Sequence, residues 1–424
     1  MPKLKRGRKP VKRCLSCKRL KIKCDQKQPC EYCKHRGKEC IYEAEIVVET
    51  ELPRSPEPQQ HESPRQDLAS DLPLTQMTSQ LSMTQQDLEV LTFFEQKAKS
   101  MIFYNNLVFD DAFKTEVNPL YQRNATVRYT LLACSAIIQL NFLLNQNHDG
   151  ALVKSEQLHQ AGLDYFQNAI AFQQDLVKLV ECDENVHEDA IKELLSACLL
   201  QAGYFVTNVG RVLPLLCLDG TQVDLITLLR AHKVIREKYL PRVANSKMKY
   251  LHPSWSAVPD SIDDEYYITS SLRKDLNVVY GTEASAVKGA LEEMISAIEQ
   301  SMYRTMEHGF PYPMIAAVVH LSDDYKYYLY QANDFALRLL FVYAVLAAMS
   351  KFCTRRYDNM FLDYVIWYKN RKFDTVGKFE YLMDEKLYFL VAETDFEPDF
   401  NHIRDFNPIE AAKKYENPEA TSQD

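Results

Sequence analysis

Apolar side chains recur every three to four residues over most of this chain, with polar breaks between the runs. From Thr84 onward, Leu88, Leu91, Phe94, Ala98 and Ile102 fall at helical spacing. Val127, Leu131, Cys134 and Ile138 form a second stripe, and Leu158, Tyr165, Ala169, Phe172, Leu176 and Leu179 a third. Further stripes run through 191–205, 223–239, 286–302, 335–349 and 357–367. Thr84-Gln85-Gln86-Asp87 resembles a capping box with Asp in place of Glu or Gln, which predicts a helix start. No run alternates as a half-buried strand would. Residues 84–392 are therefore expected to form a large all-α domain, broken between helices near Pro311 and Pro313.

The flanking segments read differently. Residues 43–83 hold five prolines, no glycine, and eight acidic residues against two basic. Such a segment buries too little apolar surface to fold alone and is expected to be a disordered acidic linker. Residues 393–424 form an acidic tail in which Phe396, Phe400 and Phe406 sit among acids. That is the composition of activation segments, and equally of a tail packing its phenylalanines on the body. The longest apolar run, Leu339 to Met349, is too short for a bilayer and reads as a buried helix, so no membrane span is expected. No apolar stretch follows the basic N-terminus, so no secretory leader is expected either.

Composition changes this picture at one end. The 424 residues include 50 Lys+Arg and 58 Asp+Glu, a net charge of −8 that taken whole argues against nucleic acid. Residues 1–42, however, hold 15 basic and 3 acidic residues, a net of +12, which leaves −20 on the remainder. An asymmetry of this size points to an arm for a polyanion. Only 11 glycines favours helices over turn-rich β-structure.

Six of the 11 cysteines lie between Cys14 and Cys40, spaced Cys14-x2-Cys17-x6-Cys24-x5-Cys30-x2-Cys33-x6-Cys40. Each half is C-x2-C-x6-C, and the halves are offset by 16 residues. In the reducing, intracellular location expected here, clustered cysteines are metal ligands rather than disulfides. A single tetrahedral zinc would leave two thiolates unused. If two sulfurs bridge, six thiolates give two Zn²⁺ ions four ligands each, and the repeat makes Cys14 and Cys30 the natural bridging pair. A zinc ribbon with spare thiols and a metal-storage segment are the alternatives. The other cysteines, Cys134, Cys182, Cys198, Cys217 and Cys353, are expected to be inert core thiols.

This spacing, with the basic run Lys18-Arg19-Leu20-Lys21-Ile22-Lys23, resembles the zinc binuclear cluster (Zn(2)-Cys(6)) of fungal transcription factors. The resemblance implies a small Zn(2)-Cys(6) DNA-binding domain over residues 14–42 holding two Zn²⁺ per chain. It implies a short helix, between the second and third cysteines, that reads a CGG-like triplet of double-stranded DNA in the major groove. By resemblance Lys21 is the base reader, since its ammonium suits the O6 and N7 acceptors of guanine. Lys18, Arg19 and Lys23 would hold phosphates. Sixteen residues beyond Lys21 stands Gly37, so the second half has no equivalent reader. Leu20 stands where some members carry a second basic residue. The resemblance further implies sequence-specific regulation of RNA polymerase II genes, a nuclear location, and the transcription machinery or co-regulators as partners. A zinc-cluster scaffold docking on chromatin without its own base reading is the alternative.

Residues 1–13 form a basic arm. Within it Lys5-Arg6-Gly7-Arg8-Lys9-Pro10 resembles an AT-hook, which would lay Arg6 and Arg8 in a narrow minor groove. A nuclear-import signal with phosphate attraction explains the same residues. Met77, Leu81, Thr84, Leu88, Leu91 and Ala98 fit heptad positions for a homodimeric coiled coil, though Leu88–Ile102 reads better as the first helix of the large domain, and a monomer on one half-site stays open. The helical region resembles the fungal-specific transcription factor domain, on residues 88–95, 127–136 and 336–343, and most the form found in sterol-uptake regulators. That resemblance implies a regulatory or dimerising role and a sterol or other small-molecule effector. No phosphate-cradling glycine loop, nucleophile elbow or H-E-x-x-H occurs, so no enzyme is expected. The ten histidines do not cluster along the chain.

Overall fold

The capping box at Thr84 forms as its sequence predicts. The Asp87 amide donates to Thr84 Oγ1 at 3.2 Å, and the Thr84 amide donates to Asp87 Oδ2 at 2.9 Å. Two otherwise orphaned donors of the first turn are thereby satisfied. The computed structural model describes residues 24, 25, 27, 30, 31 and 34, then 83–100, 106–145, 151–182, 186–207, 213–252, 267–283, 285–308, 312–350 and 359–393. The chain divides into two units, Met1–Asp67 and Leu68–Asp424.

Among the described residues the second unit is helical, with no strand. Its helices are α1 (Gln85–Phe93), α2 (Leu107–Ala112), α3 (Asn118–Arg123), α4 (Ala125–Asn145), α5 (Ala151–Cys182), α6 (Glu188–Thr207), α7 (Leu225–Tyr239) and α8 (Met248–Leu251). They continue as α9 (Tyr267–Tyr280), α10 (Ala286–His308), α11 (Tyr312–Ala316), α12 (Asp323–Tyr330), α13 (Asp334–Met349), α14 (Met360–Val376) and α15 (Leu382–Glu393). A π-helical turn extends α1 over Phe94–Ala98 and α2 over Phe113–Val117, and 3-10 turns follow α7 and α11.

Two apolar cores organise this unit. The first is built by α1 to α6 with the end of α7 and with α8, around Leu91, Phe113, Tyr121, Leu131 and Ile137. Polar side chains tie its layers together. Ser135 of α4 donates to the Val90 carbonyl of α1 at 2.9 Å, and Asn141 of α4 donates to the Thr207 carbonyl at 2.7 Å, satisfying the C-terminal end of α6. Gly162 of α5 permits a close approach to α4, since a Cβ there would stand 3.0 Å from Ile137 Cδ1.

The second core is built around α13, whose residues Phe335 to Met349 are all buried. At roughly 1.5–3 kcal/mol for each large apolar side chain, this helix is a main source of stability. The hydroxyls of Tyr325, Tyr343 and Tyr364 are buried and donate to backbone carbonyls of Ala336, Ile315 and Leu337. One charge interrupts α13. Arg338 is 1% exposed and donates through Nε to both oxygens of Asp384 on α15, at 2.9 and 3.0 Å. Its Nη2 donates to Asp275 of α9 at 2.8 Å, and the guanidinium lies 3.4 Å from the Tyr381 ring centroid. Burial pushes the Asp384 carboxyl up to about 6, opposed by the charge and hydrogen bond of Arg338.

Several expectations need correction. Phe172 and Leu179 fall on the apolar stripe of α5, yet are 47% and 53% exposed. The inner face of this helix is already covered by Leu158, Ala161, Tyr165, Ala169 and Leu176, and Phe172 lies flat on Tyr129 at 5.8 Å. Cys134 and Cys198 are buried, their thiols pushed up to about 12 by burial, as inert core thiols should be. Cys182 is exposed and Cys217 half-buried, and Cys353 lies outside the described residues. The heptad reading fails on α1, because Leu91 and Ala98 are buried within the helical unit and leave no seam for a partner helix. Met77 and Leu81 lie outside the described residues, as do residues 43–82 of the linker and the tail beyond Glu393. Among the described residues the Ala125–Leu144 stretch is long and apolar enough to cross a membrane, and 67% of it is buried as a core helix.

Breaking the Arg338–Asp384 pair leaves either Asp384 buried without its cation or Arg338 buried with Asp275 as its remaining carboxylate partner. Arg338→Met or Asp384→Leu alone is expected to cost about 3–5 kcal/mol, whereas the double variant recovers most of the loss, because the desolvation penalty disappears with both charges. Urea unfolding of the three variants measures this coupling, and additive losses would count against it.

Candidate metal centre

The described part of the first unit is the stretch that joins the two cysteine repeats. Cys24, the last cysteine of the first half, and Cys30, the first of the second, lie with Asp25 so that their two sulfurs and a carboxylate oxygen are all within 4.8 Å of one another. Among the described residues this is the one such convergence of Cys, His, Asp or Glu donors. Cys30 is fully buried and Cys24 half-buried.

A local hydrogen-bond frame holds this geometry. The Glu31 amide donates to both oxygens of Asp25, at 3.2 and 3.3 Å. The Lys34 amide donates to the Cys30 carbonyl at 2.9 Å, closing one helical turn immediately after the cysteine. Asp25 thus caps the start of that turn, the role a carboxylate plays at a helix N-terminus. Lys27 pairs with Glu31 at 3.0 Å across the outside of the loop. That hydrogen bond, then the charge of Glu31 and of Asp25, raises the Lys27 pKa.

The donor chemistry fits zinc. Thiolates are soft ligands that select Zn²⁺, and a buried sulfur beside a half-buried one excludes water from part of the coordination sphere. A bound ion would draw the Cys24 and Cys30 thiols into their thiolate form and hold together two chain segments that lack an apolar core of their own. The frame around Asp25 preorganises the sulfurs without the ion, as outer-shell groups of metal sites do.

Cys24 and Cys30 are thus brought together as the spacing requires. Cys14, Cys17, Cys33 and Cys40 lie outside the described residues, as do Arg6, Arg8, Lys18, Arg19, Lys21 and Lys23. Sequence reasoning passed over Asp25, although an aspartate between a cysteine and a short helical turn is a recognisable cap signal.

Residues 12–46 match the fungal Zn(2)-Cys(6) binuclear cluster domain, which spans the whole cysteine repeat. A transcriptional regulatory protein of Schizosaccharomyces pombe is 47% identical over 47 residues. That similarity covers 11% of this chain and 8% of the relative. No solved structure matches the chain. Residues 12–46 are therefore a Zn(2)-Cys(6) domain, and such a domain binds two zinc ions.

Replacing Asp25 by Ala removes the cap while sparing every thiol. In the full chain loaded with zinc, Asp25→Ala should release metal to a competing chelator at about tenfold lower chelator concentration. Unchanged release, followed with a colorimetric zinc indicator, would show that the cap does not support the site.

Proposed function

We propose that this protein is a sequence-specific DNA-binding regulator of transcription that acts in the nucleus on RNA polymerase II genes. The observation that carries this reading is the six-cysteine repeat within the matched domain, coupled to the basic run at 18–23. All six cysteines, Cys14, Cys17, Cys24, Cys30, Cys33 and Cys40, hold the two zinc ions, with Cys14 and Cys30 shared between them. Support for Cys30 as a bridge comes from its sulfur lying beside that of Cys24, a ligand from the opposite half.

The metal supplies structure rather than chemistry here. It fixes a segment too small to bury a core, so that the residues between Cys17 and Cys24 can be presented as a rigid helix. Lys21 reads guanine of a CGG-like half-site, and Lys18, Arg19 and Lys23 fix the register on phosphates. Arg6 and Arg8 add contacts in the adjacent minor groove. The domain order is a basic arm, the zinc cluster at 14–42, an acidic linker at 43–83, a helical regulatory domain at 84–392 and an acidic tail. The helical domain is the place for homodimer contacts or co-regulators and for an effector. With the first helix committed to the core, self-association through a zipper at 77–98 is not favoured, and one chain on one half-site is the simplest stoichiometry.

The test is a pair of binding isotherms with the full chain. Lys21→Ala should weaken binding to a CGG-containing duplex by about 5- to 150-fold, the equivalent of 1–3 kcal/mol, and change binding to random duplex by less than about twofold. Equal losses on both duplexes would refute base reading. Replacing Lys18 should instead weaken both and lower the salt dependence by about one unit of slope. An A/T tract flanking the half-site should raise affinity in a manner lost with Arg8→Ala, and equal affinity with and without the tract would refute minor-groove insertion.

A further inference from the structure

The histidines that do not cluster in sequence gather in space within the helical unit. His232 of α7, His252 just after α8 and His320 at the end of the turn following α11 line one cavity with Arg236 and Arg304. A second cavity adjoins it and shares Leu199, Ala202, Tyr312, Ala316 and Val319. Together the two outline a chamber, cationic on one side of these shared side chains and apolar on the other, where Cys134, Ile138 and Val206 join the lining. It lies where the two apolar cores meet, since Cys134 and Cys198 belong to one core and Val206 and Leu229 to the other.

Arg236 makes no ion pair among the described residues, and its protein contact is the imidazole of His320 at 2.9 and 3.1 Å. A neutral imidazole offers one lone pair, so most of the five guanidinium donors remain available. Arg236 is half-buried, and that desolvation lowers its pKa. His320 is pushed down to about 2 by burial and by the charges of Arg236, Lys233 and Arg304. His252 falls to about 3 through burial and Arg236, and His232 to about 4 through burial. All three imidazoles are thus neutral, and Nδ1 of His232 and Nε2 of His252 are buried with no hydrogen-bond partner. A cation has no place here, because these histidines do not converge within metal-ligand distance.

We propose that this chamber binds a small amphiphilic anion, a carboxylate carrying a short hydrocarbon chain. The carboxylate pairs with Arg236, and the chain runs between Leu199, Ala202, Ala316 and Val319. A half-buried guanidinium with unused donors favours an anionic partner, and carboxylate geometry matches its donor fork. Size sets the chain length. The two cavities measure about 50 and 60 Å³, which at roughly 10–15 Å³ per water admits on the order of eight to ten water-sized bodies. Octanoate has about that many non-hydrogen atoms, whereas a sterol is far larger. The inference concerns the helical unit alone and does not rest on the DNA reading.

The test uses the full zinc-loaded chain and thermal unfolding with four probes: octanoate, octanol, inorganic phosphate and a sterol. Octanoate at about ten times its Kd should raise Tm by about 2–4 °C, with octanol, phosphate and sterol at the same concentration giving less than a third of that shift. Arg236→Gln should abolish the octanoate shift and Arg236→Lys retain part of it. Should Arg236→Gln fail to fold, Ala202→Leu fills the apolar end without touching the arginine and should abolish the shift equally. Absence of any octanoate shift up to millimolar concentration overturns the proposal. So does an equal response to octanol, to phosphate or to the sterol, or a shift that survives both Arg236→Gln and Ala202→Leu.

Discussion

A helix buried on every side must meet each of its polar groups inside the fold, and α13 is such a helix. Its single buried charge, Arg338, therefore fixes the position of four neighbours at once. Asp384 must come from α15, Asp275 from α9 and the Tyr381 ring from the segment leading into α15, while the Tyr368 hydroxyl of α14 donates to Asp384 at 3.3 Å. An apolar residue at 338 would tolerate many packings of these helices, but a guanidinium with two carboxylates tolerates few. The arrangement costs desolvation and returns a single register for the C-terminal core.

The two cores meet along α6 and α7, and the chamber lined by Arg236 sits on that meeting line. Its occurrence there has a packing cause. Helices belonging to different cores are each positioned by their own neighbours, so the surfaces they turn to one another need not interdigitate fully. Small residues on this line, Ala202, Gly203 and Ala316, keep the space open. A ligand in such a place would touch both cores, and its binding energy would bear on how they pack against each other.

Much of this was legible in the sequence, and the unevenness of what was legible has physical reasons. The helix at Thr84 could be read because capping chemistry is local, and α13 because 11 successive apolar residues leave little choice. Cys24 and Cys30 could be read as ligands of one cluster because metal coordination imposes fixed spacing on the chain. The short helices α2, α3, α11 and α12 were missed, since five to eight residues carry only about two turns of periodicity or less to detect. Phe172 was misplaced because a stripe shows which face is apolar and not how far the neighbouring helices reach along it. Arg236 and the three histidines could not be foreseen, as 88 residues separate His232 from His320 and only the fold brings them together.

The division of charge follows from the same separation of roles. The N-terminal 42 residues carry +12 and have little apolar surface, so their order comes from metal and their partner from electrostatics. The helical unit has ample apolar surface of its own, and it is acidic: residues 84–424 carry 33 basic and 47 acidic side chains. On the proposed DNA-binding reading, a negative body would repel the phosphate backbone and so confine attraction for DNA to the basic end. Arg236 stands out against this background as a half-buried cation that lines a cavity of an acidic unit and makes no ion pair among the described residues. A small anion bound in the chamber would meet that charge without relying on the negative surface around it.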